Sequence, residues 1–389
     1  MKDNIIKAED IQINWNEVKK LANKTKIFKG HFNPLENNKF TVNWSVIMSV
    51  RNSEKTTAYI LLGMLIYQVQ GFRIEYCRMS KDDIRPKDHN HFFDSIIELG
   101  YIEKITGGRW NSVIYKAGFW FYRNLDENGN EEIATEPFMH VFAIKNAMDM
   151  KSNYTSNSMF LIFDEFEDPT KFWRGDEFTL LCDCISTIFR KRVHAHINLL
   201  GNTLNLHSSW FSELCISRQV LDMKQGDSKI CNQSTDLTPV FVSILPAKLT
   251  DEKLKLNKAF FNFKNPKLEA ITGTSGGWSM RTYPKLPKVK KENVFQKVYV
   301  NFDGFRVRLD FINCEGFGLC INVVPTFVTE LEADSIEITT EQIFHDNQIF
   351  LLRTGKISGI INNFYYQKRI FYANNEVGVL FDNFMQRTL

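Results

Sequence analysis

From residue 40 to 214 the chain alternates between two hydrophobic patterns. Short, nearly continuous apolar runs predict buried strands; runs with apolar positions every three or four residues predict helices with one buried face. Strands are expected at Trp44–Met48, Phe72–Cys77, Met159–Phe163 and Ala195–Leu200. Helices are expected at Thr56–Val69, Phe92–Leu99 and Phe178–Phe189, the last with Phe178, Leu181, Ile185, Ile188 and Phe189 on one face. Tyr101–Ile105, Val113–Tyr115 and Gly118–Tyr122 read as a small antiparallel insertion, with turns at Gly107-Gly108 and Asn128-Gly129. Apolar strands alternating with helices predict an α/β fold with a mainly parallel sheet.

The flanking segments differ. Residues 1–40 are polar and weakly patterned, and read as an N-terminal arm. Residues 41–214 form the α/β domain. The rhythm breaks over 215–290, with the polar run Asp222–Asp236, a Lys-rich helix candidate at Asp251–Ala259 and the glycines of Gly273–Gly277. This stretch reads as a small linker domain. It closes on YPKLPKVKKENV, where Pro284 and Pro287 stand among four lysines, a linker composition. Residues 291–389 read as an α+β domain that opens with strands at Val298–Phe302, Phe305–Phe311 and Leu319–Val324. Ile336–Thr339 and Phe350–Leu352 are further strands, and Phe364–Ile370 is helix or strand.

Composition narrows the class. The 389 residues are 43% hydrophobic and include 33 Phe, enough for full cores and against wholesale disorder. The net charge of +3 is too small for a tight, static nucleic-acid binder, so any DNA contact is local or transient. Seven scattered cysteines without a C-x-x-C pair read as reduced thiols. The N-terminus lacks a signal-peptide apolar core, and the longest apolar stretch, Tyr59–Tyr67, is too short for a membrane span. A soluble intracellular protein with no membrane partner is expected.

The first chemical candidate is WSVIMSVRNSEKTTAYILLGML, Trp44 to Leu65. A strand, a polar turn and a helix opening on Lys55 and Thr56 outline a phosphate-binding loop. Such a loop aims backbone N–H groups at oxyanions, with a Lys for the outer phosphates and a Ser/Thr for Mg²⁺. Its span here is Ser49, Val50, Arg51, Asn52, Ser53, Glu54, Lys55, Thr56 and Thr57. The glycines of the usual pattern are replaced by Ser49 and Glu54, and Glu54 adds negative charge beside phosphate. The second candidate is MFLIFDEF, Met159 to Phe166, an apolar strand ending in two carboxylates. This is a Walker B arrangement: Asp164 for Mg²⁺ and Glu165 as general base for an attacking water.

Two further features fit a nucleotide site, each with a plainer alternative. The helix ending Arg190-Lys191-Arg192 offers either an arginine finger for a neighbouring subunit or simply basic residues suited to a helix C-terminus. Asn202, at the end of the next strand, is either a γ-phosphate sensor or an ordinary turn residue. His194 and His196 lie two apart on a strand but have no further ligand to complete a metal set. Asp303, Asp310 and Glu315 would be the cluster of a metal-dependent nuclease, although Asp303-Gly304 is better explained as a hairpin turn.

These motifs together resemble the DNA-packaging ATPases of small phi-29-like tailed bacteriophages. The matching features are FNP at Phe32–Pro34, the loop SVRNSEKT, IFDEF, a helix ending FRKR, LLGN and the aromatic-rich SSWFSEL. Their order and spacing agree over Phe32–Leu214, and the match over Val294–Leu389 is looser. The resemblance implies an additional-strand (ASCE) P-loop NTPase domain, a small linker domain and an RNase H-like, vestigial-nuclease C-terminal domain. It implies ATP and Mg²⁺ as cofactors and a homo-oligomeric, pentameric ring at the portal vertex of the procapsid in the host cytoplasm. It also implies docking through a packaging RNA and pumping of double-stranded DNA. By this resemblance Lys55 and Thr56 bind phosphate and Mg²⁺, and Arg51 is an additional loop arginine. Asp164 and Glu165 form Walker B, Arg190 acts in trans and Asn202 is the coupling position.

The DNA contacts expected of such a motor are to phosphates rather than bases. Lys253, Lys255, Lys258, Lys285, Lys288, Lys290 and Lys291 are the candidates, with a solvated charged face as the plainer reading. Two rival functions remain: a terminase-like ATPase with an active C-terminal nuclease, and a non-hydrolysing structural ring protein. The presence of Glu165 argues against the second, since a pure binder needs no base.

Overall fold

The structure is a computed structural model. It describes residues 8–29, 31–37, 40–49, 53–80, 84, 92–145, 157–167, 176–202, 207–246, 255, 259, 282–286, 293–302, 305–314, 318–326, 331, 335–339, 348–350 and 356–388. The chain forms two compact units. One comprises Met1–Asp168, Asp176–Thr203 and Asp222–Gly277; the other comprises Pro169–Gly175, Leu204–Leu221 and Trp278–Leu389.

The first unit is built on a ten-stranded sheet. Its strands are β1 (Trp44–Ser49), β2 (Arg73–Arg78), β3 (Ser112–Lys116), β4 (Phe119–Leu125), β5 (Glu131–Ile133), β6 (Met139–Ala143), β7 (Ser158–Asp164), β8 (His196–Asn202), β9 (Ser228–Cys231) and β10 (Val240–Ile244). The order is β3-β4-β6-β2-β7-β8-β1-β10-β9, with β5 on β4. All pairs from β6 to β10 are parallel, and antiparallel strands extend both ends. β8 is thus inserted between β1 and β7, the additional-strand order. β7 and β8 are buried along their whole length, which is why both read as unbroken apolar runs.

Helix α1 (Trp15–Thr25) packs on α3 (Lys55–Gln70), so much of the N-terminal arm is part of this unit. The short α2 (Pro34–Asn37) also meets α3. Tyr101–Ile105, expected as a strand, lies in helix α5 (Tyr101–Thr106), which follows α4 (Asp94–Glu98). Left-handed glycines, Gly100 and Gly107, bound α5 at both ends, and that punctuation outweighs the strand-like composition. The sheet also runs past the expected 214/215 boundary. PVFVSIL, within the supposed linker domain, supplies β10, buried alongside β1, and β9 pairs with it. α6 (Glu177–Phe189) matches its expected span. No helix among the described residues is long and apolar enough to cross a membrane.

The second unit contains α7 (Ser209–Glu213), α8 (Ser217–Leu221) and a six-stranded sheet. β11 (Val294–Phe302), β12 (Phe305–Cys314) and β13 (Gly318–Pro325) form an antiparallel meander. β14 (Ile336–Thr339) and then β15 (Gln348–Phe350) add parallel to β11. Three antiparallel strands continued by two parallel ones make the RNase H-like arrangement. β16 (Ile370–Tyr372) pairs with β13, and Phe364–Ile370 divides between the end of α9 (Lys356–Tyr366) and the start of β16. Helix α10 (Asn375–Thr388) packs on β13 and β16. Its Gly378 lies against the Tyr283 ring, where a Cβ would come within 2.3 Å of Cγ.

Two stability predictions follow from the first unit. At Gly63 of α3 a Cβ would meet Ile74 of β2 at 2.6 Å. Gly63→Ala should therefore destabilise the protein by about 1–2 kcal/mol in chemical denaturation, despite the better helix propensity of Ala. Burial pushes the His196 pKa down from 6.5 to about 4, against the edges of Trp15 and Phe40. The unfolded chain takes up this proton near pH 6.5 and the folded chain only near 4, so acid between those values favours unfolding. Urea melts should lose about 1.4 kcal/mol per pH unit across this window from His196, and His196→Phe should flatten the loss.

Candidate active site

Strands β1 and β7 are second neighbours, so their ends lie about 10 Å apart with β8 between them. The side chains that follow close this gap. Lys55 and Thr56 open α3, directly after the loop that leaves β1. Thr56 Oγ1 donates to Asp164 Oδ1 at 2.9 Å, joining the β1 loop to the end of β7. Lys55 Nζ donates to Asn202 Oδ1 at 2.8 Å, joining it to the end of β8. Lys55, Asp164 and Asn202 are all buried. Gly201 permits this crowding, since a Cβ there would meet Phe166 at 2.6 Å.

Two residues that the sequence reading missed complete the cluster. Tyr76 OH donates to Asp164 Oδ2 at 2.9 Å, and Arg78 Nη1 reaches the same oxygen at 3.2 Å. The other Arg78 terminus, Nη2, donates to Glu165 Oε2. Burial, reinforced by the Asp164 carboxylate, raises the Tyr76 pKa well above its ordinary value, so the phenol stays a neutral donor. Burial works against the Arg78 charge, but Tyr76, Asp164 and Glu165 outweigh it, and its pKa rises. The only sequence signal was an arginine at the end of an otherwise buried strand.

The missing glycine has a geometric answer. Glu54 has φ 62° and ψ 11°, the left-handed conformation that glycine adopts at no steric cost. The chain keeps the backbone path and carries the strain of a side chain on it. Ser49, by contrast, is the last residue of β1 and needs no glycine; its hydroxyl meets that of Ser53. The Glu54 side chain makes no cap hydrogen bond to α3, which leaves the first-turn N–H groups uncapped by it. Thr57 lies in that first turn and is half-buried. Glu165 also has a positive φ, 50°, and its side chain is 52% exposed, beside the buried Asp164. Arg190 is exposed just beyond α6, with φ 50° and ψ −108°. Left-handed or otherwise rare backbone angles at three expected site residues fit the tendency of strain to collect at functional sites.

Among the remaining expected residues, Val50, Arg51 and Asn52 lie outside the described residues, as do Lys253, Lys258, Lys288, Lys290 and Lys291. Lys255 and Lys285 are exposed. In the second unit, Asp310 accepts two bonds from Arg308, at 2.7 and 3.0 Å, and Glu337 accepts one from Arg306 at 2.7 Å. Asp303 and Glu315 lie outside the described residues, and no group of three potential metal ligands occurs among the described ones.

Chemically, the cluster offers an anion seat at the start of a 16-residue helix and a buried lysine. A hydroxyl and a carboxylate suited to a hard cation lie beside it, next to an exposed carboxylate. The backbone explanation for Glu54 predicts that Glu54→Gly will be about 1 kcal/mol more stable than Glu54→Ala in thermal or urea unfolding, because only glycine relieves the left-handed strain.

No protein-family model and no curated protein matches this sequence. Solved structures do. The Phi-28 gp11 DNA packaging motor superposes with a TM-score of 0.54 at 16% identity, over 92% of this chain and 97% of that one. The bacteriophage Phi-29 viral genome packaging motor assembly gives 0.54 at 14% identity, over 92% and 99%. At these identities the likeness is one of fold, and it spans both units: the chain has the fold of the phage DNA-packaging motor proteins.

Proposed function

We propose that the protein is a viral genome-packaging motor ATPase, which moves double-stranded DNA into a procapsid by hydrolysing Mg-ATP. The observation that carries this reading is the meeting of Lys55 with Asn202 and of Thr56 with Asp164, across three strand ends of an additional-strand sheet. The packaging role draws its support from the fold shared with the Phi-28 and Phi-29 motors.

On this reading Ser49 to Thr57 is a P-loop and the end of β7 is Walker B. The first turn of α3 and the Lys55 ammonium bind the β- and γ-phosphates. Thr56 Oγ1 and Asp164 Oδ1 would hold Mg²⁺; as a hydroxyl and a carboxylate they are the hard oxygen donors that ion takes. When bound, Mg²⁺ offsets phosphate charge as the bond to the leaving group breaks. Glu165 orients a water and accepts its proton, which requires the carboxylate to leave Arg78. Asn202, bonded to Lys55, reports the occupancy of the phosphate seat to β8. Arg190, exposed beyond α6, completes a neighbouring subunit's site, so hydrolysis needs a ring. A pentamer docked on the portal through a packaging RNA, in the host cytoplasm, follows from the family resemblance. Lys255 and Lys285 are the described candidates for DNA phosphate contacts. The arginine-paired Asp310 and Glu337 favour a C-terminal unit without nuclease activity.

The test is ATP turnover against protein concentration. Specific activity should climb with concentration as subunits associate. Glu165→Gln should lower turnover by about 10²–10⁴-fold, and Arg190→Ala by about 10³-fold or more. If the wild type lacks Glu165-dependent turnover even with procapsids and DNA present, the motor reading fails and a structural ring takes its place.

A further inference from the structure

The replacement of the loop glycine by Glu54 creates an electrostatic problem that the backbone does not solve. A carboxylate one residue before Lys55 stands beside the seat of a triphosphate, and like charges at such range repel. The structure gives this carboxylate a specific partner. Glu54 Oε2 lies 2.7 Å from His31 Nδ1, and His31 Nε2 lies 2.9 Å from the Tyr101 hydroxyl. Hydrogen-bond chemistry fixes the direction. An ionised carboxylate only accepts, so Nδ1 carries the proton. In the neutral imidazole Nε2 then accepts, and Tyr101 donates to it. The chain runs from Tyr101 to His31 to Glu54.

Its anchor is firm. Tyr101 is buried at the start of α5, with the Lys104 ammonium 5.0 Å from its ring centre. His31 precedes Phe32 and α2 in the segment leading to β1. Glu54 itself is 45% exposed, so without His31 its side chain has room to swing. None of the three residues belongs to the Lys55–Thr56–Asp164–Asn202 cluster.

We propose that His31, braced by Tyr101, is a positioning residue: it ties down the Glu54 carboxylate so that a loop without its glycine still accepts a nucleoside triphosphate. This inference rests on the nucleotide reading of the site. It assigns His31 an effect on substrate binding that operates only through the Glu54 charge.

A double-mutant cycle tests it, with MgATP binding by calorimetry and steady-state turnover as readouts on the full chain. Lys55→Ala serves as the control for the site. His31→Ala should weaken MgATP binding by about tenfold, raising KM while kcat at saturation holds. Glu54→Gln should tighten binding. In the Glu54→Gln background, His31→Ala should have no further effect. Tyr101→Phe, a smaller change that keeps the ring, should give a loss of about two- to threefold that likewise disappears with Glu54→Gln. Equal losses in both backgrounds, or no loss from His31→Ala or Tyr101→Phe, would overturn the proposal while leaving the nucleotide site intact. Wild-type protein that binds no MgATP, or binds it regardless of Lys55, overturns the nucleotide reading and this inference with it.

Discussion

The hydrogen bond from Thr56 to Asp164 depends on the order of the strands. Thr56 opens the helix that follows β1 and Asp164 ends β7, two strands that are not neighbours; the two residues are 108 positions apart. They meet because β8 fills the space between β1 and β7, in register with both. Ser49 is opposite Asn202 and Asp164 is opposite Leu200, so the three strands end at nearly one level. Parallel strands all present their C-terminal ends on one edge, and loops there can converge on one crevice.

A site so assembled is dense in charge and largely buried. Tyr76, Thr56 and Arg78 all donate to the buried Asp164 carboxylate, which is thereby paired rather than left unsatisfied. Arg78 spans both acidic residues, and so couples the buried Asp164 to the exposed Glu165. The backbone contributes as well. Glu54 and Glu165 both take positive φ, a conformation that costs a side chain about 1–2 kcal/mol, and the surrounding packing sustains it.

The second unit uses similar components to a different end. Its buried acidic residues are satisfied within the protein: Asp310 by Arg308, Glu337 by Arg306, and Asp382 by the hydroxyls of Tyr283 and Tyr365.

Much of this was legible along the chain. β1, β7, β8 and α3 follow from their nearly continuous apolar runs, and α6 from its helical apolar period. Lys55, Thr56, Asp164, Glu165 and Asn202 stood out as polar residues at the ends of such runs. The helix at Tyr101–Thr106 was misread because six residues carry too little periodicity to outvote composition. β10 was missed because its apolar run lies in a polar neighbourhood that suggested a linker. The sequence by itself determined that β1, β2, β7 and β8 are buried strands, where α3 and α6 begin and which polar residues stand at the ends of those runs, since these are properties of local pattern. Only the tertiary structure decided that Arg78 and Tyr76 join Asp164, that Glu54 keeps the glycine backbone, and that His31 and Tyr101 secure its charge. Those contacts depend on strand order and loop path, which bring together residues far apart in the chain and leave no period in the sequence.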